Sequence, residues 1–486
     1  MNIDYHAIAP ELILTGTILV VLVLDTFLPR ERKWLAMPVS LVGVLGALVA
    51  TLTLIGDHRS TFGGMYVVDP FAVLFKVFFL STAAVVLGLS LRYMREGRYF
   101  QGEYYVLVLA AFLGCITMPS SRDLLMLFIS LELVSAPGFL IAAFRKTDAR
   151  SNEAGLKFFL IGVLSSAVML YGMSLIYGLT GSTHLVTIGA RLGDLTGAKQ
   201  TLSLAAILFV VAGFGFKVSA VPFQFWAPDT YEGAPVPVAA FLSVASKAAG
   251  FAGLLQLMFV AFAPASDFWT PVFAVLSIAT MTIGNLVALQ QTQVVRLFAY
   301  SSIAQAGYML LPFALVGASP SIDHQAFAAV ELYILIYGVM NLGAFAVLTA
   351  MARESPSLLL DDFSGLMRRS PVLGGSMTVF LISLAGIPPT AGFFAKLFVF
   401  SAAVAEGGRA VGPWLAAIMV INSVISVGYY IGLTRQMIFV QGDRRPFRSP
   451  ALITGVVVVA ALTVFAVFIY PDVLARFPQG ATLVGR

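Results

Sequence analysis

Six ionisable residues stand where an apolar chain should have none. Glu132 lies in LLMLFISLELVSAPGFL, and Lys76, Lys157, Lys217, Lys247 and Lys396 lie in runs long enough to cross a bilayer. On insertion scales a charge at mid-bilayer costs about 3 kcal/mol, so such groups face the protein interior and mark ion or proton pathways. All five cations are lysine, although arginine supplies 21 of the 29 basic residues. Burial drives an ammonium towards its neutral form, whereas a guanidinium stays charged. A set restricted to lysine is a set that can release a proton, and these residues read as an ion path.

The elements that position these groups are interrupted. In GFGFKVSAVPFQFWAPDTYEGAPVPVAAFLSVASK, Lys217 comes late in one apolar run and Lys247 lies inside the next, across a Pro-rich connector. Gly213, Gly215 and Pro222 are expected to break the seventh span around Lys217. Lys396 lies in a run from about Pro371 to Val404, which as unbroken helix would be about 50 Å long against a hydrocarbon core of about 30 Å. Gly386-Ile387-Pro388-Pro389 marks the expected break in this twelfth span. Proline withdraws backbone donors, so the freed carbonyls must meet water, a side chain or an ion. Lys157, a few residues into its span, is a candidate relay member or a helix-end lysine. Lys76 reads as a structural lysine reaching back to the interface. Asp229 and Glu232 read as turn and capping residues, and His324 as a solvated loop histidine.

With 486 residues, 59% apolar side chains and 11% charged, and a mean hydropathy of +0.93, the chain is an all-α polytopic membrane protein of about fourteen spans. The run from Ile8 to Leu28 reads as a retained first span. One cysteine, Cys115, and four scattered histidines leave no disulfide and no metal cluster. There is no Gly-rich nucleotide loop and no cysteine set for an iron-sulfur cluster, so no cofactor is expected on this chain. The net charge of +5 is a topology signal and not evidence for nucleic acid. Seventeen basic residues fall on one side of the spans and seven on the other. The positive-inside rule then puts both termini outside the cytoplasm.

GFGFK at 213–217 and GFFAK at 392–396 share the pattern Gly-Phe-x-x-Lys five spans apart. An odd number of helices per unit inverts the second copy in the membrane. The expected organisation is three N-terminal helices over 1–100, a first five-helix repeat over 101–264, an inverted second repeat over 265–440, and a last helix with its tail over 441–486. Lys217 then lies near the inner end of its span and Lys396 near the outer end of its own.

KVSAVPFQFWAPDTYEGAPVPVAAFLSVASK resembles the signature of the proton-conducting antiporter-like proteins of respiratory complex I, related hydrogenase complexes and multisubunit cation/proton antiporters. SRDLLMLFISLELVSAPGFLIAAF is similar to that family's fifth span. GIPPTAGFFAKLFVF and SNEAGLKFFLIG most resemble the N-type members of bacterial NADH:quinone oxidoreductase, which carry lysine at the Lys396 position where M-type members commonly have glutamate. The resemblance implies two inverted five-helix bundles with broken seventh and twelfth helices, and proton pumping in a bacterial inner membrane. In it Glu132 pairs with Lys217, Lys247 is the central relay and Lys396 the outer terminal group. It also implies membrane partners, including a neighbouring antiporter-like subunit, with NADH, FMN, iron-sulfur clusters and quinone held by other subunits. The alternative within the family is a cation/proton antiporter or membrane-bound hydrogenase subunit. Gln224 departs from the family pattern, standing where many members have histidine.

Overall fold

The computed structural model describes residues 3–96, 101–405, 407–442, 445–447, 449–471 and 483. Arg98, Arg444, Arg448, Arg476 and Arg486, which enter the topology count above, lie outside the described residues. Thirteen helical segments among those described are long and apolar enough to cross a membrane, and Pro371–Ala385 with Ala391–Ala403 supplies a fourteenth in two halves. The expected number of spans is therefore present.

In chain order the helices are α1 (Ala9–Phe27), α2 (Ala36–Leu52), α3 (Pro70–Glu96), α4 (Gln101–Thr117), α5 (Leu124–Ala142), α6 (Ala149–Thr180), α7 (Leu185–Gly193) and α8 (Gly197–Val218). They continue as α9 (Trp226–Gly233), α10 (Val236–Phe241), α11 (Lys247–Gln256), α12 (Ser266–Ala288), α13 (Val294–Leu310) and α14 (Pro320–Met351). The chain closes with α15 (Leu366–Arg369), α16 (Pro371–Ala385), α17 (Ala391–Ala403), α18 (Gly412–Phe439) and α19 (Ala451–Ile469). Between α2 and α3 a short antiparallel hairpin, β1 (Arg59–Thr61) and β2 (Tyr66–Val68), pairs Arg59 with Val68. The all-helical expectation did not include it.

Two compact units divide the chain: Met1–Ser219 with Ala245–Pro271, and Ala220–Val244 with Val272–Gln479. Within the first, α5 and α6 start on aspartate caps: Asp123 accepts from Leu125 N at 2.9 Å and Asp148 from Arg150 N at 3.0 Å, which satisfies donors that helix ends leave open. α4 and α5 lie so close at Gly114 that a Cβ there would come within 2.7 Å of the Ser130 carbonyl oxygen. Small residues allow such approach where lipid gives helices no hydrophobic reason to associate. In the second unit α14 is almost wholly buried, and its start is set by the Ser319 cap and Pro320.

The breaks are where the structure revises the expectations. α8 runs unbroken through Gly213 and Gly215, both buried, and ends at Ser219 with φ of 61°. Gly213 serves packing: a Cβ on it would fall 2.4 Å from the Met169 Cβ on α6. Only Pro222, in the turn before α9, belongs to the interruption. The second break falls where expected, α16 ending at Gly386 with φ of 85° and α17 resuming after Pro388 and Pro389. The Gly-Phe-x-x-Lys match does not align these breaks, since Lys217 precedes the first and Lys396 follows the second. The backbone supplies another register, in which Ser219 corresponds to Gly386 and Pro222 to Pro389, each proline three residues after a left-handed residue. An interruption absent from the expectations is a pair of π-helical turns, Leu242–Ser246 and Leu257–Ala261, flanking α11.

Candidate functional site

Glu132 and Ser135 stand three residues apart on α5, hence on one face. The expected Glu132–Lys217 ion pair is not made. Lys217 Nζ donates to Ser135 Oγ at 2.9 Å, and Glu132 Oε1 accepts from Ser166 Oγ of α6 at 2.5 Å. Glu132 remains within electrostatic reach of Lys217, as does Cys115 of α4. One turn of geometry explains the arrangement. Lys217 is in the last turn of α8, two residues before its left-handed terminus, where unpaired carbonyls already favour a cation. An hydroxyl is sufficient to hold the ammonium there, so the carboxylate is left to hold its own hydroxyl partner.

Lys247 opens α11 directly after a π turn and is 2% exposed. Three residues on, a Cβ at Gly250 would lie 3.0 Å from Lys217 Cγ. The stem of Lys217 therefore packs on the face of α11 that carries Lys247, which brings two of the sequence candidates together in the first unit. π turns widen a helix and release its regular ladder, and they recur at functional positions.

In the second unit Lys396, 8% exposed, reaches back from α17 across the break. Its Nζ donates at 2.8 Å to Ala385 O, a carbonyl freed at the end of α16. The ammonium also lies 4.8 Å from the centre of the Tyr308 ring, and its stem fills the space that a Cβ on Gly386 would need. The neighbouring carbonyl, Leu384 O, accepts from Gln305 Nε2 at 3.1 Å. From there a buried network extends: Tyr333 donates to Gln305 Oε1, Gln305 and Ser301 meet the Tyr430 hydroxyl, and Asn285 joins Tyr308 to Tyr429. A cavity of about 330 Å³, largely apolar, opens beside Lys396 between α16, α17 and α18.

Other candidates are placed elsewhere. Lys157 is 42% exposed at its side chain and pairs with Glu153 at 2.7 Å, one turn away on α6. Lys76 does not snorkel: it is fully buried and pairs with Glu11 at 2.9 Å. Asp229 and Glu232 of α9 both bind Arg296, at 2.7 and 3.0 Å. Gln224 is buried with no hydrogen-bond partner on its Oε1. Sequence reasoning missed Ser135, Ser166, the π turns and the tyrosine–amide network. It also gave no place to Glu331, which lies eleven residues into α14 and is completely buried. The Ser319-Pro320 helix start was the available signal.

The sequence pattern of the NADH:quinone oxidoreductase/Mrp antiporter transmembrane family matches residues 121–426. The chain is 41% identical over its whole length to "NADH-quinone oxidoreductase subunit N 2" of Symbiobacterium thermophilum, covering 98% of that protein. It is 39% identical to "NADH-quinone oxidoreductase subunit N" of Trichlorobacter lovleyi, with 99% of this chain and 97% of the relative covered. Among solved structures it is similar to a chain of respiratory complex I from Thermus thermophilus with bound aureothin, at 32% identity and a TM-score of 0.81, covering 97% of this chain and 100% of that one. The breaks, the buried lysines and these likenesses agree: the chain belongs to the NADH:quinone oxidoreductase/Mrp antiporter transmembrane family, among its bacterial subunit N members.

Proposed function

We propose that this chain is a proton-translocating membrane subunit of a bacterial NADH:quinone oxidoreductase and that Glu132, Lys217, Lys247 and Lys396 carry the proton. The observation that supports the relay most is that Lys217 is held by the Ser135 hydroxyl, with its stem on the Lys247 face of α11. A neutral acceptor holds a lysine without locking it in the charged form as a bound carboxylate would. A change of charge in a neighbouring subunit that alters the distance from Glu132 to Lys217 then biases where the proton rests. The proton moves from Lys217 to Lys247, and Lys396 delivers it onward from the second break.

Moving one charge against the membrane potential costs about 2.3 kcal/mol per 100 mV, so the drive comes from redox chemistry elsewhere in the complex. NADH, FMN, iron-sulfur clusters and quinone are assigned to other subunits, and this chain to none of them. Residues 101–264 and 265–440 are read as inverted repeats, with both termini on the non-cytoplasmic side. Matching interrupted helices in two halves support that reading.

The test is NADH-driven proton pumping by the assembled complex in vesicles carrying Lys217→Met or Lys396→Met. Either variant is expected to lower pumping about a hundred-fold, the usual scale for a positioned proton-transfer group. Full pumping by assembled variants would overturn the relay. Isolation of the chain in a complex lacking flavin and iron-sulfur subunits would overturn the assignment to the oxidoreductase.

A further inference from the structure

The cavity beside Lys396 is not used by the relay, and it is built like a ligand pocket. Its volume of about 330 Å³ falls at the small end of the range of about 300–1,000 Å³ common for small-molecule sites, which are mostly apolar with a few placed polar groups. Ile387, Phe393, Met419 and Val427 line it, and Lys396 supplies the charge. Leu397 of α17 and Val420 and Val424 of α18, also in the lining, are 40%, 49% and 67% exposed. The cavity therefore opens sideways between these two helices, on the outside of the bundle.

The ammonium at its wall has donors to spare. A lysine carries three N–H groups, and among the described residues one oxygen, Ala385 O at 2.8 Å, accepts from Lys396. Tyr308 adds the face of its ring at 4.8 Å, which attracts a cation but is not an oxygen acceptor. Lys76 has a carboxylate, Glu11, at 2.9 Å, whereas Lys396 forms no ion pair among the described residues. A buried charge is ordinarily paired, and the side chains here leave this one able to take an anion.

Depth selects the kind of anion. α16 has 15 residues and α17 has 13, about 22 Å and 20 Å of helix, each more than half of a core about 30 Å thick. Lys396 Nζ lies where the two halves meet, so a phosphate held at the membrane surface is out of reach from either side. A fatty acid has one carboxylate at the end of a single apolar chain. The carboxylate matches the ammonium in charge, and the chain matches the apolar walls and the lateral opening. We infer that this cavity binds a long-chain fatty acid, its carboxylate accepting from Lys396 Nζ and its chain leaving between α17 and α18 past Leu397 and Val424. Such binding needs the buried ammonium and the opening but not the relay, so it stands or falls separately from pumping.

The test exposes the assembled complex, in vesicles, to a palmitic acid analogue with a photoreactive diazirine on its chain, or to the methyl ester of the same analogue, and quantifies labelled peptides by mass spectrometry. The acid is expected to label residues 393–400 and 419–427 about ten-fold more than the ester, and Lys396→Met to abolish that preference, the scale of a lost hydrogen bond to a charged group. Val424→Trp, which fills the opening and leaves the charge in place, should lower labelling by the acid to the level of the ester. Where Lys396→Met does not assemble, Val424→Trp and the comparison of acid with ester decide the matter. Equal labelling by acid and ester in the parent complex overturns the carboxylate site and leaves contact with acyl chains only. Labelling by the acid that survives both variants overturns it as well, and so does the absence of label at these segments, the result if a neighbouring subunit covers the opening. Displacement of the probe by excess decylubiquinone and not by excess palmitate would assign the cavity to a neutral carbonyl ligand instead.

Discussion

The two broken helices hold their lysines by opposite means. At the first break the lysine comes before the interruption and donates a hydrogen bond to a side chain, the Ser135 hydroxyl of another helix. At the second the lysine comes after the interruption and folds back onto the main chain, to Ala385 O at the end of the preceding half-helix. The first break turns on a serine in the left-handed region, the second on a glycine. One ammonium therefore depends on a partner that mutation can remove, and the other on a backbone group that no side-chain substitution deletes. The difference separates an adjustable lysine from one whose environment the fold itself fixes.

The sharpest test of that contrast keeps the charge and removes the proton exchange. Lys217→Arg and Lys396→Arg are each expected to cut pumping more than ten-fold at normal assembly, because a guanidinium does not give up its proton; near-normal pumping by either would show that charge alone suffices there. Next in size is Gly386→Ala. A left-handed residue with a Cβ costs about 1 to 2 kcal/mol, and this Cβ would also lie 2.7 Å from Lys396 Cδ, so both thermal stability and pumping should fall. Ser219→Gly, the matching change at the first break, removes the same cost and should raise stability by about 1 kcal/mol or less, read as the unfolding temperature of the purified complex.

A smaller effect is expected for Ser135→Ala, which leaves the buried Lys217 ammonium without its hydrogen bond at a cost of about 1 to 3 kcal/mol. Pumping should drop several-fold there and be partly rescued by Ser135→Thr. Equal pumping in Ser135→Ala and the parent complex would mean the hydroxyl is incidental. Least of all, Lys157→Met should leave pumping within measurement error and change stability by less than about 0.5 kcal/mol, since its partner Glu153 is exposed and adjacent on the same helix. A large loss would return Lys157 to the relay.

What was legible in the sequence was whatever depends on hydropathy and depth. The spans, the burial of Lys217, Lys247 and Lys396, and the interruption at Pro388 and Pro389 follow from run length and missing backbone donors. What was not legible depends on which helix faces which. Gly213 reads as a breaker when seen alone, yet Met169 occupies the space its missing Cβ leaves. Lys76 sits at a depth that allows snorkelling, and only the fold brings Glu11 to it from 65 positions away. The Glu132–Lys217 pair fails for the same reason: opposite charges attract at long range, but contact is decided by hydroxyls at 2.5 and 2.9 Å. π turns leave no mark in composition, so the interruptions beside Lys247 had no signal to read.

The eighth span, Val236–Ala261, is buried at every position but Val260, yet it is as apolar as helices that meet lipid, with a mean hydropathy of 1.7. Its apolar character cannot be an adaptation to the bilayer it does not touch in the finished fold. It serves an earlier moment. A segment leaving the ribosome must partition into lipid before its neighbours exist to enclose it, and this one does so carrying Lys247. Its side chains thus satisfy two successive environments, first the membrane during insertion and later the interior of the protein. The same lysine that is useful to the finished pump is a burden during synthesis, which limits how many more such charges the span could accept.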